Sequence, residues 1–265
     1  MRLGLTSAAF YGRMETEDAA QKLRDFPLDT CEMFLETHGE YNLAFGELLM
    51  QRLCGLHCRS IHAKGTQFEG DLFGASPRQR ADAFQIFAGV LDCGMALGAN
   101  VYVFHGLPDF KGGLTIDRIP RLRESITQMM DMAFKRGLML AWENVSWCAL
   151  KRPEDAAYLM SLFPDLRFTL DIKQARLCGV DPLSFLPVMG DRLIHVHVLD
   201  YDAAGHHCLP GHGLFDFHQL RQGLLRIGYQ GDVILEPYAA QALDEKALRV
   251  SISYLRSAFD MKEPN

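Results

Sequence analysis

Six ionisable side chains fall where a β-strand pattern aims them at a shared point. Successive side chains of a strand point to opposite faces. In Leu138 to Glu143 the bulky Leu138, Leu140 and Trp142 share one face, while Met139, Ala141 and Glu143 share the other. The same alternation opposes Arg167, Thr169 and Asp171 to Leu166, Phe168 and Leu170, and sets His195 and His197 against Ile194, Val196 and Val198. Glu236 opposes Leu235, and His62 and His105 end apolar runs of their own. With the apolar faces turned to a surrounding layer, the ionisable faces turn inward. Buried carboxylates are costly without a partner, so Glu143, Asp171 and Glu236 among His62, His105 and His197 want a cation. Mixed oxygen and imidazole donors suit Mn²⁺, Mg²⁺, Co²⁺ or Zn²⁺ better than a soft, thiolate-bound metal. Any one of these residues alone reads equally well as a hydrogen-bonded polar group of the core. Glu143, Asp171, His197 and Glu236 together do not. His195 lies deeper on its strand and is expected to pack behind the ligands and orient them. His38, His57 and His218 are expected in surface or structural roles.

The elements that must position these groups recur as a short apolar run, a turn and a longer amphipathic stretch. The strands are expected at Arg2–Thr6, Thr30–Leu35, Leu56–His62, Asn100–His105, Leu138–Glu143, Leu166–Asp171, Arg192–Leu199 and Asp232–Glu236. Helical patterns between them cover Glu15–Asp25, Leu43–Gly55, Pro77–Gly98 and Ile116–Arg136, then Pro153–Phe163, Pro182–Met189, Phe215–Ile227 and Gln241–Phe259. Ser76-Pro77 and Arg152-Pro153 place proline near a first helical turn, and Gly98, Gly137 and Gly228 stand where helices should stop. Alternating strands and helices over about 250 residues are expected of an α/β chain folded as a (β/α)8 TIM barrel. No composition shift or low-complexity linker divides residues 1–265, which predicts a single domain. An open doubly wound sheet is the rival, but the first turn, Ser7-Ala8-Ala9-Phe10, carries no glycine-rich phosphate signature. A barrel also explains why the ionisable groups sit at strand ends, since barrel enzymes build their sites at the C-terminal face.

Composition narrows the function classes. The chain has 265 residues, with 27 Lys+Arg against 33 Asp+Glu, a formal net charge of −6. Hydrophobic residues at 48% and charged residues at 23% exclude a disordered tail, a disulfide mini-scaffold and a coiled coil. The acidic balance argues against nucleic acid or an anionic membrane surface as partner. Seven cysteines are scattered without a CxxC pair, and Cys54 and Cys58 lack a downstream second half, so reduced thiols are expected. The longest uncharged run, Cys93 to Pro108, is broken by glycines, Asn100 and His105, short of the roughly 20 apolar residues that span a bilayer. The first residues read as a strand rather than the apolar core of a signal peptide, so a cytoplasmic protein is expected.

In this setting the chain resembles the sugar phosphate isomerase/epimerase superfamily. These are the xylose-isomerase-like TIM barrels, which also include endonuclease-IV-type AP endonucleases. The resemblance is carried by Ser60-Ile61-His62-Ala63, Phe104-His105-Gly106, Glu143-Asn144-Val145 and Leu170-Asp171-Ile172-Lys173-Gln174. It continues through His195-Val196-His197-Val198-Leu199-Asp200, the stretch Leu209 to Phe217, and Leu235-Glu236-Pro237. It implies one divalent ion, Mn²⁺ foremost, held by Glu143, Asp171, His197 and Glu236. Glu143 and Glu236 would double as acid and base, one removing a proton beside a carbonyl and the other returning it to the metal-stabilised enediolate. His62, His105, Gln174 and His207 would contact a small-molecule carbohydrate. Assembly as a homo-oligomer is compatible with all of this.

Departures from the family pattern matter. Many epimerases carry histidine where Gln174 stands. Lys173 and Arg176 could meet a carboxylate or phosphate, or be exposed helix-start residues. Gly211 and Gly213 read as a close turn near substrate or as a tight strand-to-helix connection. The nuclease branch needs a histidine and an aspartate where this chain has Gln174 and Gly205, so two ligands of its third zinc are missing. A second metal on His62, His105 and Glu143 is open to this chain, although substrate contact suits those histidines better. A lyase that dehydrates a keto-polyol with the same metal set is the main alternative activity, and a non-catalytic sugar-binding protein is another.

Overall fold

Each barrel strand pairs in parallel with its neighbours until the last meets the first. The computed structural model describes residues 1–108 and 119–263. The first half runs β1 (Leu3–Thr6), α1 (Thr16–Leu23), β2 (Thr30–Leu35), α2 (Leu43–Leu53), β3 (Cys58–Ala63), α3 (Pro77–Leu97) and β4 (Val101–Phe104). The chain continues with α4 (Ile119–Phe134), β5 (Met139–Glu143), α5 (Pro153–Leu162), β6 (Arg167–Asp171), α6 (Ile172–Leu177), α7 (Leu186–Met189) and β7 (Leu193–Val198). It ends with a small hairpin, β8 (Asp200–Tyr201) and β9 (His207–Cys208), followed by α8 (Phe217–Arg226), β10 (Asp232–Leu235) and α9 (Glu245–Ala258). Around the closed barrel the order is β1, β10, β7, β6, β5, β4, β3, β2. This is the expected (β/α)8 architecture, with the hairpin inserted between β7 and α8. No helix among the described residues is long and apolar enough to cross a membrane.

Local chemistry explains the boundaries. Ser76 accepts the Gln79 N–H to start α3, Pro77 occupies its first turn, and Gly98 ends it in the left-handed region at φ 78°. Leu3, Leu5, Met33, Ile61, Tyr102, Trp142, Phe168 and Val196 face outward into one continuous core with the helices. Burying a side chain of that size contributes roughly 1.5–3 kcal/mol relative to leaving it exposed. Val101, Val103 and Ala141 form a separate small apolar cluster, with Ile194 packed against it.

Two expectations need correction, one element is added, and one expectation lies partly outside the described residues. Ile194, expected on the outer face with Val196, joins the inner cluster, because the β6–β7 register shifts from Phe168↔Leu193 to Thr169↔His195 and skips it. The single helix expected over Pro182–Met189 is a 3-10 turn, Pro182–Phe185, followed by α7. Helix α6 is not among the helical patterns above, although the helix-start reading of Lys173 and Arg176 places a first turn there. It starts where β6 stops, because the Asp171 carboxylate caps it by accepting the Gln174 N–H at 2.9 Å. The helix expected over Ile116–Arg136 is present from Ile119, and 116–118 lie outside the described residues.

Candidate active site

Neighbouring strands bring four donors together. His197 on β7 is level with Asp171 at the end of β6, and with Ile234 on β10, two residues before Glu236. Glu143 ends β5 two residues lower, opposite Thr169. One ligand atom from each of Glu143, Asp171, His197 and Glu236 lies within 4.8 Å of the others, and all four residues are buried. Glu143, Asp171 and Glu236 line the floor of a cavity of about 350 Å³ at the C-terminal end of the barrel, and His197 lies fully buried beneath them. The cavity wall carries four aromatic rings, Tyr11, Phe34, Trp147 and Tyr238, of which Tyr11, Trp147 and Tyr238 are exposed. Apolar walls with a few convergent polar groups are the usual form of a small-molecule site.

The imidazole of His197 lies between carboxylates. Its Nδ1 is 2.9 Å from Glu143 Oε1 and 3.6 Å from Glu236 Oε1, while its Nε2 is 3.0 Å from Glu32 Oε2. Glu32 therefore fixes the Nε2 side and leaves Nδ1 turned to the four-donor cluster, as an outer carboxylate does for a ligating histidine. The same Glu32 oxygen takes His195 Nε2 at 3.0 Å and accepts the Ser60 hydroxyl at 2.8 Å. His195 thus packs behind the cluster, as its depth on the strand predicts. Burial opposes a charged Glu32, but His197, His195 and His62 together hold its carboxyl well below the ordinary range.

His62 and His105 also reach the cavity. Their Nε2 atoms are 2.8 Å apart, and His105 Nδ1 donates to Glu69 Oε2 at 3.0 Å. Glu69 is itself fixed by the Tyr102 hydroxyl at 2.5 Å. Burial works against a cationic His105, yet the charge and hydrogen bond of Glu69 outweigh it and raise the imidazole to about 9. Asn144 locks Asp171 through two bonds, donating to its carbonyl and accepting its N–H, each at 2.8 Å. Gln174 lines the cavity, and its side-chain carbonyl accepts from the Ser146 N–H and hydroxyl at 3.1 and 2.9 Å.

Lys173 departs from expectation. It is neither exposed nor free to meet an anion from solution: it is buried, and its Nζ donates to Glu236 Oε2 at 2.7 Å. Burial raises the Glu236 carboxyl, but Lys173 and then His197 overcome this and hold it at about 2. Arg176 is exposed and stacks on the Tyr201 ring. His207 does not line the cavity; its ring lies behind Tyr238, with centroids 5.9 Å apart. Gly211 and Gly213 serve the tight connection. Their N–H groups donate to Asp200 at 3.2 and 3.1 Å, and a Cβ on Gly213 would meet Asp200 Oδ1 at 2.3 Å. His57 bonds Thr30, His38 lies against Tyr41, and His218 is exposed.

The donor set fits a divalent ion. Asp171 Oδ2 is buried without a hydrogen-bond partner, and burial, offset only in part by Lys173, raises the carboxyl to about 7. A cation beside that oxygen would satisfy it, and three carboxylates with one imidazole are hard to intermediate donors. Glu32, Glu69, the aromatic wall and the buried Lys173–Glu236 pairing are additions to the sequence reading. A signal existed for Glu32, which alternates with Cys31, Met33 and Leu35 on β2. Glu69 lies in a short 3-10 turn with no strand or helix period to read.

Residues 17–258 match the model of the xylose isomerase-like TIM barrels, and the chain belongs to that family. Over 140 residues it is 26% identical to fructoselysine 3-epimerase of Escherichia coli O157:H7, covering 47% of this chain and 51% of that protein. The match thus spans about half the length of that curated relative. A crystal structure of D-psicose 3-epimerase in the presence of D-fructose superposes with a TM-score of 0.80 at 15% identity, covering 98% of this chain and 99% of the other. The IOLI protein with a binding zinc atom superposes with a TM-score of 0.73 at 16% identity, covering 97% and 96%. At these identities the two structures establish likeness of fold.

Proposed function

We propose that the chain, read as one barrel domain over residues 1–265, is a divalent-metal-dependent sugar or sugar phosphate isomerase or epimerase of the cytoplasm. One observation carries this reading. Two buried glutamates, Glu143 and Glu236, share the floor of an aromatic-walled cavity with Asp171, and their donor atoms lie within 4.8 Å of one another and of that of the buried His197. The epimerase relative and the epimerase of like fold support it. Glu143, Asp171, His197 and Glu236 would hold the ion, with Mn²⁺ ahead of Mg²⁺, Co²⁺ and Zn²⁺. When bound, it supplies positive charge to adjacent sugar oxygens, which eases loss of the proton beside the carbonyl.

The remaining chemistry belongs to the chain. One glutamate carboxylate takes the C–H proton, leaving an enediolate whose electron pair is shared with the carbonyl oxygen. The other glutamate, a carboxylate at rest, relays a proton taken from a sugar hydroxyl or solvent to the opposite face for epimerisation, or to the neighbouring carbon for isomerisation. His62, His105 and Gln174 orient the sugar hydroxyls, the aromatic wall excludes water, and His207 joins them for a substrate that reaches past Tyr238. The partner is a small carbohydrate, with nucleic acid and membranes outside the reading.

Product analysis over a panel of ketoses and aldoses, with and without Mn²⁺, tests it. An epimer or isomer formed only with the ion is expected. A dehydrated product would move the assignment to a lyase, and cleavage of abasic duplex DNA would move it to a nuclease.

A further inference from the structure

The four-donor cluster already faces a cation supplied by the chain itself. Lys173 stands two residues after Asp171 on the first turn of α6, and its side chain is 5% exposed. Its Nζ is 2.7 Å from Glu236 Oε2, 3.5 Å from Asp171 Oδ2 and 4.5 Å from the centre of the Tyr238 ring. An ammonium this deep is tolerated only when its charge is matched, and these two carboxylates with the ring face match it. Both carboxylates also belong to the set proposed to hold the divalent ion. Like charges a few Å apart in a poorly screened interior repel strongly. An ion entering the cluster must therefore work against the ammonium and draw Glu236 away from it.

We propose that Lys173 is a built-in counter-cation of the metal site: it neutralises Glu236 and Asp171 while the ion is away, competes with the ion for them, and turns toward the cavity when the ion takes them. The inference rests on the metal-site reading above and adds a consequence that this reading lacks. The ion-free protein is held together by its own ammonium, and the ion is bound less tightly than its four donors alone would allow.

Calorimetric titration of the metal-stripped protein with Mn²⁺ separates the two ideas. Lys173→Met keeps the length and removes the charge, while Lys173→Arg keeps the charge. Lys173→Met is expected to bind Mn²⁺ about tenfold or more tightly than wild type and to melt at a lower temperature when ion-free, with Lys173→Arg within about threefold of wild type. Unchanged or weaker binding by Lys173→Met overturns the inference and leaves the metal site standing, and equal tightening by Lys173→Arg also overturns it. Binding by Lys173→Met where wild type shows none supports it. Absence of binding in both removes the metal-site reading and the inference together. If Lys173→Met does not fold, amine acetylation of the wild-type protein decides. Mn²⁺ should raise labelling of Lys173 several-fold relative to exposed Lys246, and labelling that stays level or falls contradicts the proposal.

Discussion

Asp232 and Asp171 are buried aspartates at opposite ends of the barrel, and they are treated in opposite ways. Asp232 opens β10 at the N-terminal end, where it accepts the Arg2 backbone N–H at 3.2 Å and the Arg2 guanidinium at 3.1 and 2.8 Å, with Arg59 3.7 Å away. Asp171 closes β6 at the C-terminal end, with one oxygen lacking a hydrogen bond and its carboxyl raised to about 7 by burial. At one end a guanidinium meets the carboxylate in full. At the other, Glu32, Glu143, Asp171 and Glu236 crowd around imidazoles and one ammonium. The same residue type is therefore fully paired below and incompletely paired above, and the incompletely paired end is where the proposed function places the chemistry.

Substitutions should separate the two ends. Asp171→Ala is expected to weaken Mn²⁺ binding by about 100-fold or more, read by equilibrium dialysis, since outer-layer partners alone are worth 10–100-fold. Glu32→Gln tests such an outer partner, because it loosens His197 without removing a donor. A loss of about 10–100-fold in Mn²⁺ affinity is expected, and unchanged affinity would break the orienting role. Asp232→Asn should leave ion affinity and turnover intact and lower stability in urea by about 1–2 kcal/mol, a modest figure because Arg2 is partly exposed. A loss of turnover there would erase the contrast between the ends.

The smallest effect concerns the rim of the upper end. Burial, then Glu40 and Glu15, raise the Glu36 carboxyl from 4.5 to about 7. The folded chain thus holds this proton more tightly than the unfolded chain. The associated stability is full below about pH 4.5, falls as pH rises, and is gone above about 7. Glu36→Gln should therefore be more stable than wild type at pH 8 and nearly equal to it at pH 4.5. An equal gain at both values would refute the electrostatic origin.

The legible parts of this molecule follow one rule, strand parity. It places Glu143, Asp171 and His197 on inner faces and brings them to one end, where the structure finds them within reach of each other. Parity also carries Glu32, whose neighbours Cys31, Met33 and Leu35 face the core. Its alternation is no weaker than that of Glu143, but Glu32 stands at the third residue of its strand rather than at the end. Other features depend on information a single strand does not hold. The inward turn of Ile194 comes from a register shift against β6. Helix α6 has six residues, fewer than the two turns a helical period needs to show itself. Because Asp171 caps α6, Lys173 falls in its first turn, and nothing in the local sequence reveals its burial against Glu236. Glu69 depends on a loop that folds back to meet His105 and Tyr102.

Hydrogen exchange at the substrate carbon tests the central claim, that Glu143 and Glu236 move a proton beside a carbonyl. The Mn²⁺-loaded protein is incubated in D₂O with the ketose it converts, and deuterium next to the carbonyl is followed by NMR. Wild type is predicted to incorporate deuterium into product, and Glu143→Gln and Glu236→Gln to lose about 100-fold or more of that rate while still binding Mn²⁺. Exchange that persists at the wild-type rate in both variants, or conversion with no deuterium gained, would contradict the account.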